Sequence, residues 1–399
     1  MPRQDAPGTA TPGHGPLTGL RVLDLATVVA GPGAARYLAD FGADVLKVER
    51  PDTGDSTRTM GLADPRDGAS FYWKVVSRNK RCVTLDLKTA AGCETLLDLA
   101  ADADVLVENF RPGTLERLGV GPDVLLERNP RLVICRVTGF GQDGPYASRP
   151  GFATLAEAMS SFAAINGEPD GAPLLPPVAL ADEVTAIVGA FAIMSALWSG
   201  VGQVVDVNLL DSLLQCMGPL PAAYGTTGYL QPRMGSGLPY SVPRGTWRCG
   251  DGRWVAVSAS AESVGRRVMQ LLGLGDREDL QSFAGRIAAR DEIDARMAEF
   301  CGQRHLDEVL TAFNQAEAAA AAVYDMADLF ADPHVQARAG VVEVDDVRMQ
   351  GVVARMSATP GEVRWAGREL GADDPPRWLP RGSGSAGNGE IDDLAHDPG

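Results

Sequence analysis

The feature that most constrains this chain is a strand–turn–helix–strand pattern that repeats along its first 140 residues. Leu20–Leu25 (LRVLDL) reads as a short apolar strand. VVAGPGAARYLADFG follows, in which Gly31-Pro32-Gly33 opens a helix that closes near Gly42, and Asp44–Val48 (DVLKV) reads as the next strand. Strand, glycine turn, helix and strand make a βαβ unit, whose two strands must be parallel because a helical crossover separates them. The pattern recurs through CVTLDL, a helix over Ala90–Ala101, DVLVENF, a short helix over Val124–Arg128 and LVICRVTGF. Such alternation predicts an open, doubly wound α/β sheet of Rossmann type.

Downstream the rhythm changes. Helices are expected near Leu155–Ile165 and Val184–Leu197, the second of them buried, and VGQVVDVNLLDSLLQ reads as a strand running into a helix. Gly218–Pro243 has the Gly/Pro/Tyr content of a linker or active-site loop. GTWRCGDGRWVAVSAS reads as a hairpin turned at Gly250-Asp251-Gly252. Residues 260–325 read as helical, including AEAAAAAV over Ala316–Val323, and GVVEVDD and VVARM read as strands returning to the first domain. The expected organisation is a flexible arm (1–16), a large Rossmann-like domain (17–212), a linker (213–227), a smaller α+β domain (228–325), a linker and return (326–378) and a disordered tail (379–399).

At 399 residues, 45% apolar and 22% charged, the chain is long enough for more than one core and has ordinary globular content. Its net charge of −16 argues against nucleic acid or an anionic membrane as partner, since both require a cationic face. An anionic ligand would need cations gathered locally. The apolar run Ala179–Trp198 contains Asp182, Glu183 and Thr185, which reads as a core helix rather than a membrane span. The first sixteen residues lack an apolar segment, so no secretory signal is expected and a cytoplasmic location follows. Six scattered cysteines without a C-x-x-C pair predict reduced, buried thiols. The four histidines, His14, His305, His334 and His396, supply no metal-ligand motif and little prospect of a Ser-His-Asp relay. Catalysis is left to carboxylates, backbone amides, tyrosines or lysines.

Three features carry chemical interest. G-P-G-A-A-R lacks the third glycine of a dinucleotide fingerprint, although Glu49 stands at a suitable distance; a tight turn for close helix–sheet packing also accounts for its glycines. Lys47, Arg50, Arg58, Lys74, Arg78, Lys80, Arg81 and Lys88 fall within 42 residues. They read either as a solvated face or as a collector of a phosphorylated ligand. Asp182, at the start of an apolar helix, is either a cap or first-turn residue or a nucleophile. In the second case the helix N-terminus would keep it ionised.

The run of motifs resembles the class III CoA transferases, the family of carnitine CoA-transferase, formyl-CoA transferase and α-methylacyl-CoA racemase. The matching segments are LTGLRVLDLATVVAGPGAARYLADFGADVLKVERPDTGD, RNKRCVTLDLKTAAG, ADVLVENFRPGTLERLG, NPRLVICRVTGFGQDGPYASRPGF, ADEVTA, GQVVDVNLLDS and FADPHVQARAGVV, in family order over about residues 17–350. The resemblance implies a Rossmann-like large domain, a small domain, two long linkers and an interlocked homodimer. It implies that Asp182 is the catalytic aspartate. For coenzyme A, carried as substrate, it implies contacts from Val29 and Ala30 (strand-end backbone), Arg50 and Arg117 (phosphates), Leu85 and Lys88 (adenine side), and Asn109 and Phe110 (adenine and pantetheine). No metal or redox cofactor is implied.

Departures from the family bear on the substrate. Val29 stands where formyl-CoA transferases carry glutamine and Ala153 where they carry glutamate, and of their glycine-repeat loop only Gly235-Ser236-Gly237 is left. Oxalate is therefore not expected as acceptor, and the acyl site is expected to be weakly polar. Phe152 stands where the racemase branch has its histidine, so the two-base route lacks a second base. The expected activity is transfer of CoA from an acyl-CoA to a carboxylic acid, through an anhydride and a CoA thioester on Asp182. An acyl-CoA racemase or isomerase, and a CoA-binding protein without transferase chemistry, are the alternatives.

Overall fold

The computed structural model describes residues 15–381; the sequence-predicted arm (1–16) and tail (379–399) lie almost wholly outside that span. The chain divides into two compact units. The first comprises residues up to Ser160, Pro176–Cys216 and the chain from Ala337 on; the second comprises Ser161–Leu175 and Met217–Gln336.

In the first unit the elements run β1 (Arg21–Asp24), α1 (Ala30–Asp40), β2 (Asp44–Glu49), α2 (Phe71–Val76), β3 (Arg81–Thr84), α3 (Ala90–Ala101), β4 (Val105–Glu108), α4 (Thr114–Arg117), α5 (Pro122–Arg128), β5 (Val133–Thr138) and α6 (Ala153–Met159). After α7 (Phe162–Ile165), which belongs to the second unit, come α8 (Leu180–Ser199), β6 (Gln203–Asn208) and α9 (Leu209–Leu214). All six strands are parallel, in the order β3-β2-β1-β4-β5-β6. The order turns back on itself between β1 and β4, leaving a crevice above the carboxyl ends of those strands.

The core follows from the two-residue period of the strands. Leu23 pairs in register with Leu46 and Leu106, and these with Val83 and Ile134 pack against Leu96 and Leu99 of α3, Leu115 of α4 and Leu125 of α5. Burying each such side chain contributes roughly 2 kcal/mol. Two residues of the other phase mark the second face, where α1 and α8 lie: Gly31 approaches Val107 and Gly189 approaches Cys135. A methyl group on Gly33 would stand 2.7 Å from Cβ of Ala186, so the glycines of the first turn serve close packing of α1 on α8. The tight-turn reading of Gly31-Pro32-Gly33 is the one the packing supports.

In the second unit α10 (Leu220–Thr227) leads to β7 (Arg244–Arg248) and β8 (Trp254–Ser258), the expected hairpin. Then come α11 (Glu262–Leu271), α12 (Phe283–Ala288), α13 (Arg290–Gly302), α14 (Leu306–Gln315), β9 (Ala319–Ala322), α15 (Met326–Ala331) and α16 (Pro333–Ala337). Here the helical reading of Ala316–Val323 is wrong. Ala319–Ala322 pairs antiparallel with β8, Val255 opposite Ala322, and pairing in the sheet overrides alanine's intrinsic helical preference. The unit also takes in residues 161–175 and extends beyond 228–325 on both sides.

The chain then returns to the first unit through a hairpin of β10 (Val341–Val344) and β11 (Val347–Gln350). The VVARM segment, expected as a strand, has no regular structure. Further on, Trp365 donates its indole N–H to the Lys80 carbonyl (3.0 Å), and Trp378 donates to that of Leu99 (3.0 Å). These contacts tie the C-terminal segment to the start of β3 and to α3.

Two further expectations need correction. α8 is only about one-third buried: Ile187, Phe191, Met194 and Trp198 are exposed, Trp198 at 89%. By length and composition it is apolar enough to cross a bilayer, yet Glu183 in its first turn is ion-paired with Arg36 of α1 at 2.6 Å. Of the cysteines, Cys82, Cys135, Cys249 and Cys301 are buried, whereas Cys216 is exposed and Cys93 intermediate.

Candidate active site

Two cavities lie over the carboxyl ends of the strands. The first, about 620 Å³, is lined by Leu25 beyond β1, Glu49 and Arg50 at the end of β2, Leu85 and Lys88 beyond β3, and Phe110 beyond β4. The second, about 290 Å³, is lined by Val28, Val29 and Ala30, by Asn109 and Arg111, by Thr138 and Gly139, by Arg149 and Phe152, and by Asp182 and Leu209. Thr27 and Phe110 line both, so the cavities share a wall.

The cation-rich segment resolves into two classes. Six of the eight cations named from it are internal ties. Lys80 pairs with Asp24 at 2.7 Å, Lys47 with Asp55 at 3.0 Å, Arg58 with Glu49 at 2.7 Å, Lys74 with Asp64 at 2.7 Å, Arg78 with Asp40 at 2.6 Å and Arg81 with Asp44 at 2.9 Å. The reading of the whole run as a ligand collector is therefore corrected. Arg50 and Lys88 stay exposed at the first cavity without an ion pair among the described residues. Glu49, the acidic candidate for a nucleotide ribose, is 4% exposed and occupied by Arg58.

The loop joining β1 to α1 is pinned from several sides. Asn109 Oδ1 accepts the Thr27 N–H at 2.8 Å, and its Nδ2 donates to the Thr27 carbonyl at 2.6 Å. Val28 has φ of +69°, a strained value for a β-branched residue, and its N–H donates to Asp55 Oδ1 at 3.3 Å. Val29 and Ala30 then open α1 at the second cavity, where first-turn N–H groups lack intrahelical partners.

Asp182 is the third residue of α8 and does not cap it: the N-cap position is Ala179, and no side-chain cap is made. Among the described residues its carboxylate has neither a hydrogen bond nor an ion pair. Burial, with the charges of Glu157 and Glu183 nearby, pushes its pKa up to about 6. Desolvation and two like charges thus outweigh the helix dipole in the direction of the shift. At neutral pH it is still mostly ionised.

The other sequence candidates divide. Leu85, Lys88, Arg50 and Phe110 line the first cavity, and Val29, Ala30, Asn109 and Phe152 the second. Arg117, exposed on α4, is outside both linings and donates to Thr114 Oγ1 at 2.9 Å; Thr114 lines the first cavity. Ala153 opens α6 but lines neither cavity. Gly235 and Gly237 belong to the second unit, where the Gly235 N–H donates to the Gly167 carbonyl at 2.9 Å.

Sequence reading assigned no role to three side chains of this site. Arg111 and Arg149 line the second cavity without a carboxylate partner among the described residues, Arg149 stacked 3.8 Å over the Tyr146 ring. The expectation of a weakly polar site is thus corrected. Arg111 directly follows Phe110 in ENFRPG, a usable signal. Glu157, 3% exposed, accepts the Ala181 N–H at 3.3 Å from 24 positions away, which nothing local announces.

Comparison with known proteins accords with this geometry. The chain matches CoA-transferase family III over residues 17–374. It is 39% identical to the succinyl-CoA–L-malate CoA-transferase beta subunit of Chloroflexus aurantiacus over 89% of this chain and 91% of that one. It is 36% identical to the succinate–glutarate CoA-transferase of Agrobacterium fabrum, over 83% and 85%. Among solved structures, a CAIB/BAIF family protein from Brucella suis superposes with a TM-score of 0.80 at 32% identity, covering 90% of this chain and 97% of that one.

Proposed function

The chain belongs to CoA-transferase family III and is an enzyme of that family; from that premise we propose that it passes coenzyme A from an acyl-CoA to a carboxylic acid through the carboxylate of Asp182. The observation that carries this reading is a carboxylate with no partner among the described residues, in a cavity that shares its wall with a larger one.

The steps balance without a metal or redox cofactor. Asp182 attacks the thioester carbonyl; the C–S bond breaks, giving a mixed anhydride and CoA thiolate. The thiolate attacks the aspartyl carbonyl, releasing the donor acid and leaving CoA as a thioester on Asp182. An acceptor carboxylate attacks that thioester, forming a second anhydride and freeing the thiolate once more. The thiolate then takes the acceptor's acyl group and Asp182 is regenerated. The first-turn N–H groups at Val29–Ala30 are suited to the oxyanions that form.

Arg50 and Lys88 are suited to the CoA phosphates, and Leu85 and Phe110 to its adenine and pantetheine. Arg111 and Arg149 support a dicarboxylic acyl group, as do relatives named for succinyl, malate and glutarate transfer. Strand order supports a Rossmann-type large domain. The exposed apolar face of α8 supports a second copy of the chain as its cover, in an interlocked homodimer. Partners other than substrates and that copy, nucleic acid and membrane included, are not proposed, and the location is cytoplasmic. Racemisation gains no support: among the described residues no histidine lines either cavity.

The test is to incubate the enzyme with succinyl-CoA, add hydroxylamine, and map the modified residue by mass spectrometry. A hydroxamate at Asp182 is expected, and none in D182N. Turnover without any adduct at Asp182 would overturn the reading.

A further inference from the structure

Asp182 and Glu157 divide between them two tasks that a single first-turn carboxylate usually combines. A helix N-terminus leaves four N–H groups without partners, and an acidic or hydroxylic residue at the cap or third position normally takes one of them. In α8 the cap position holds Ala179, which has nothing to offer, and Asp182 at the third position makes no such bond. The Ala181 N–H is taken instead by Glu157 Oε1, reaching across from α6 at 3.3 Å. α6 packs on both α8 and α9, so that approach is built into the fold.

We propose that Glu157 is the positioning residue of this site: its buried carboxylate caps α8 in place of Asp182, which leaves Asp182 unengaged and under the repulsion of a second negative charge. This inference rests on Asp182 being the nucleophile.

Two consequences follow. An unengaged carboxylate keeps both oxygens for attack. One made more basic by a like charge is a stronger nucleophile, provided it is still ionised at working pH.

The other charged groups nearby are already occupied. Glu183 is held by Arg36 at 2.6 Å and by the Tyr37 hydroxyl. On the other elements packed against α8, Asp211 of α9 is bonded by Asn208, Asp206 of β6 by the Gln142 N–H, and Arg136 of β5 is paired with Glu108. Arg111 and Arg149 face the cavity from its other walls. Among the described residues Glu157 alone joins burial, a contact to the first turn of α8 and an effect on Asp182.

The test follows formation of the Asp182 hydroxamate, with succinyl-CoA as donor, against pH in wild type, E157Q and E157A. In wild type the acid limb is expected near pH 6. E157Q keeps an acceptor for Ala181 but loses the charge; its limb is expected about half a unit or more lower, with the plateau rate two- to fivefold down. E157A also loses the acceptor, leaving Asp182 free to turn back as the cap. Its adduct rate is expected to fall at least tenfold while the thermal melt stays cooperative. An E157Q limb coincident with wild type, or an E157A rate equal to wild type, would overturn the proposal. If E157Q does not fold, a wild-type limb below pH 5 does so on its own. Absence of any Asp182 adduct in wild type would instead remove the nucleophile reading on which the proposal stands.

Discussion

Asn109 holds the backbone of Thr27 by both of its polar groups, accepting the amide N–H at 2.8 Å and donating to the carbonyl at 2.6 Å. A side chain at the end of β4 thereby completes the ladder for a residue beyond the end of β1, at the point where the strand order reverses. Thr27 lines both cavities, so this pair sets the wall they share.

Replacing Asn109 with alanine leaves two partly buried backbone groups without partners, which costs about 1–3 kcal/mol. N109A is expected to melt several degrees lower and to show a raised KM for acyl-CoA, with a smaller change in kcat. Calorimetry and steady-state kinetics check this.

Asp182 should reveal its strain in stability as well as in rate. A folded-state pKa near 6, above the ordinary aspartate value, means that the native state holds the proton more tightly than the unfolded chain does. The ionised carboxylate therefore destabilises the fold fully above about pH 6, and the penalty disappears as pH falls below the unfolded value near 4. D182N is expected to lose turnover by at least a thousandfold. Its melting temperature should exceed that of wild type by a few degrees at pH 7.5, with the difference closing toward pH 4.

The cations of residues 47–88 should fall into two groups on mutation. R50A and K88A, at exposed positions, are expected to raise KM for acyl-CoA several-fold, weaken its salt dependence and leave the melting temperature unchanged. K80M removes a partner of buried Asp24 and should destabilise by several kcal/mol. Melting curves beside salt titrations of KM distinguish the two.

Gly33 tests the packing of α1 on α8. A Cβ there would meet the Ala186 methyl at 2.7 Å, and neither atom can rotate away. G33V is expected to destabilise by about 1–3 kcal/mol or more and to reduce activity, because α8 carries Asp182. Urea denaturation checks the first and turnover the second.

Much of the fold was legible because it depends on local patterns. The alternation of apolar strands, glycine turns and amphipathic helices is written within windows of thirty residues, and it led to a parallel sheet. Asp182 was legible through its surrounding motifs. The helix expected over Ala316–Val323 failed for the opposite reason: alanine's helical propensity is a local preference that tertiary context overrides, and β8, more than sixty residues away, supplied a sheet edge. The cation run misled because charge density along a chain does not say which carboxylates fold back onto it.

The sequence by itself determined the family, the sheet and the candidate nucleophile, since each rests on residue type and spacing. Tertiary structure alone decided the condition of that nucleophile. Of the eight cations named over residues 47–88, Arg50 and Lys88 are left exposed at the first cavity because Asp24, Asp40, Asp44, Glu49, Asp55 and Asp64 hold the other six. Asp182 has no partner among the described residues; burial first, then the charges of Glu157 and Glu183, raise its pKa, while Glu157, on another helix, takes the Ala181 N–H. Desolvation and Coulomb repulsion act through space, and only the folded chain sets those distances.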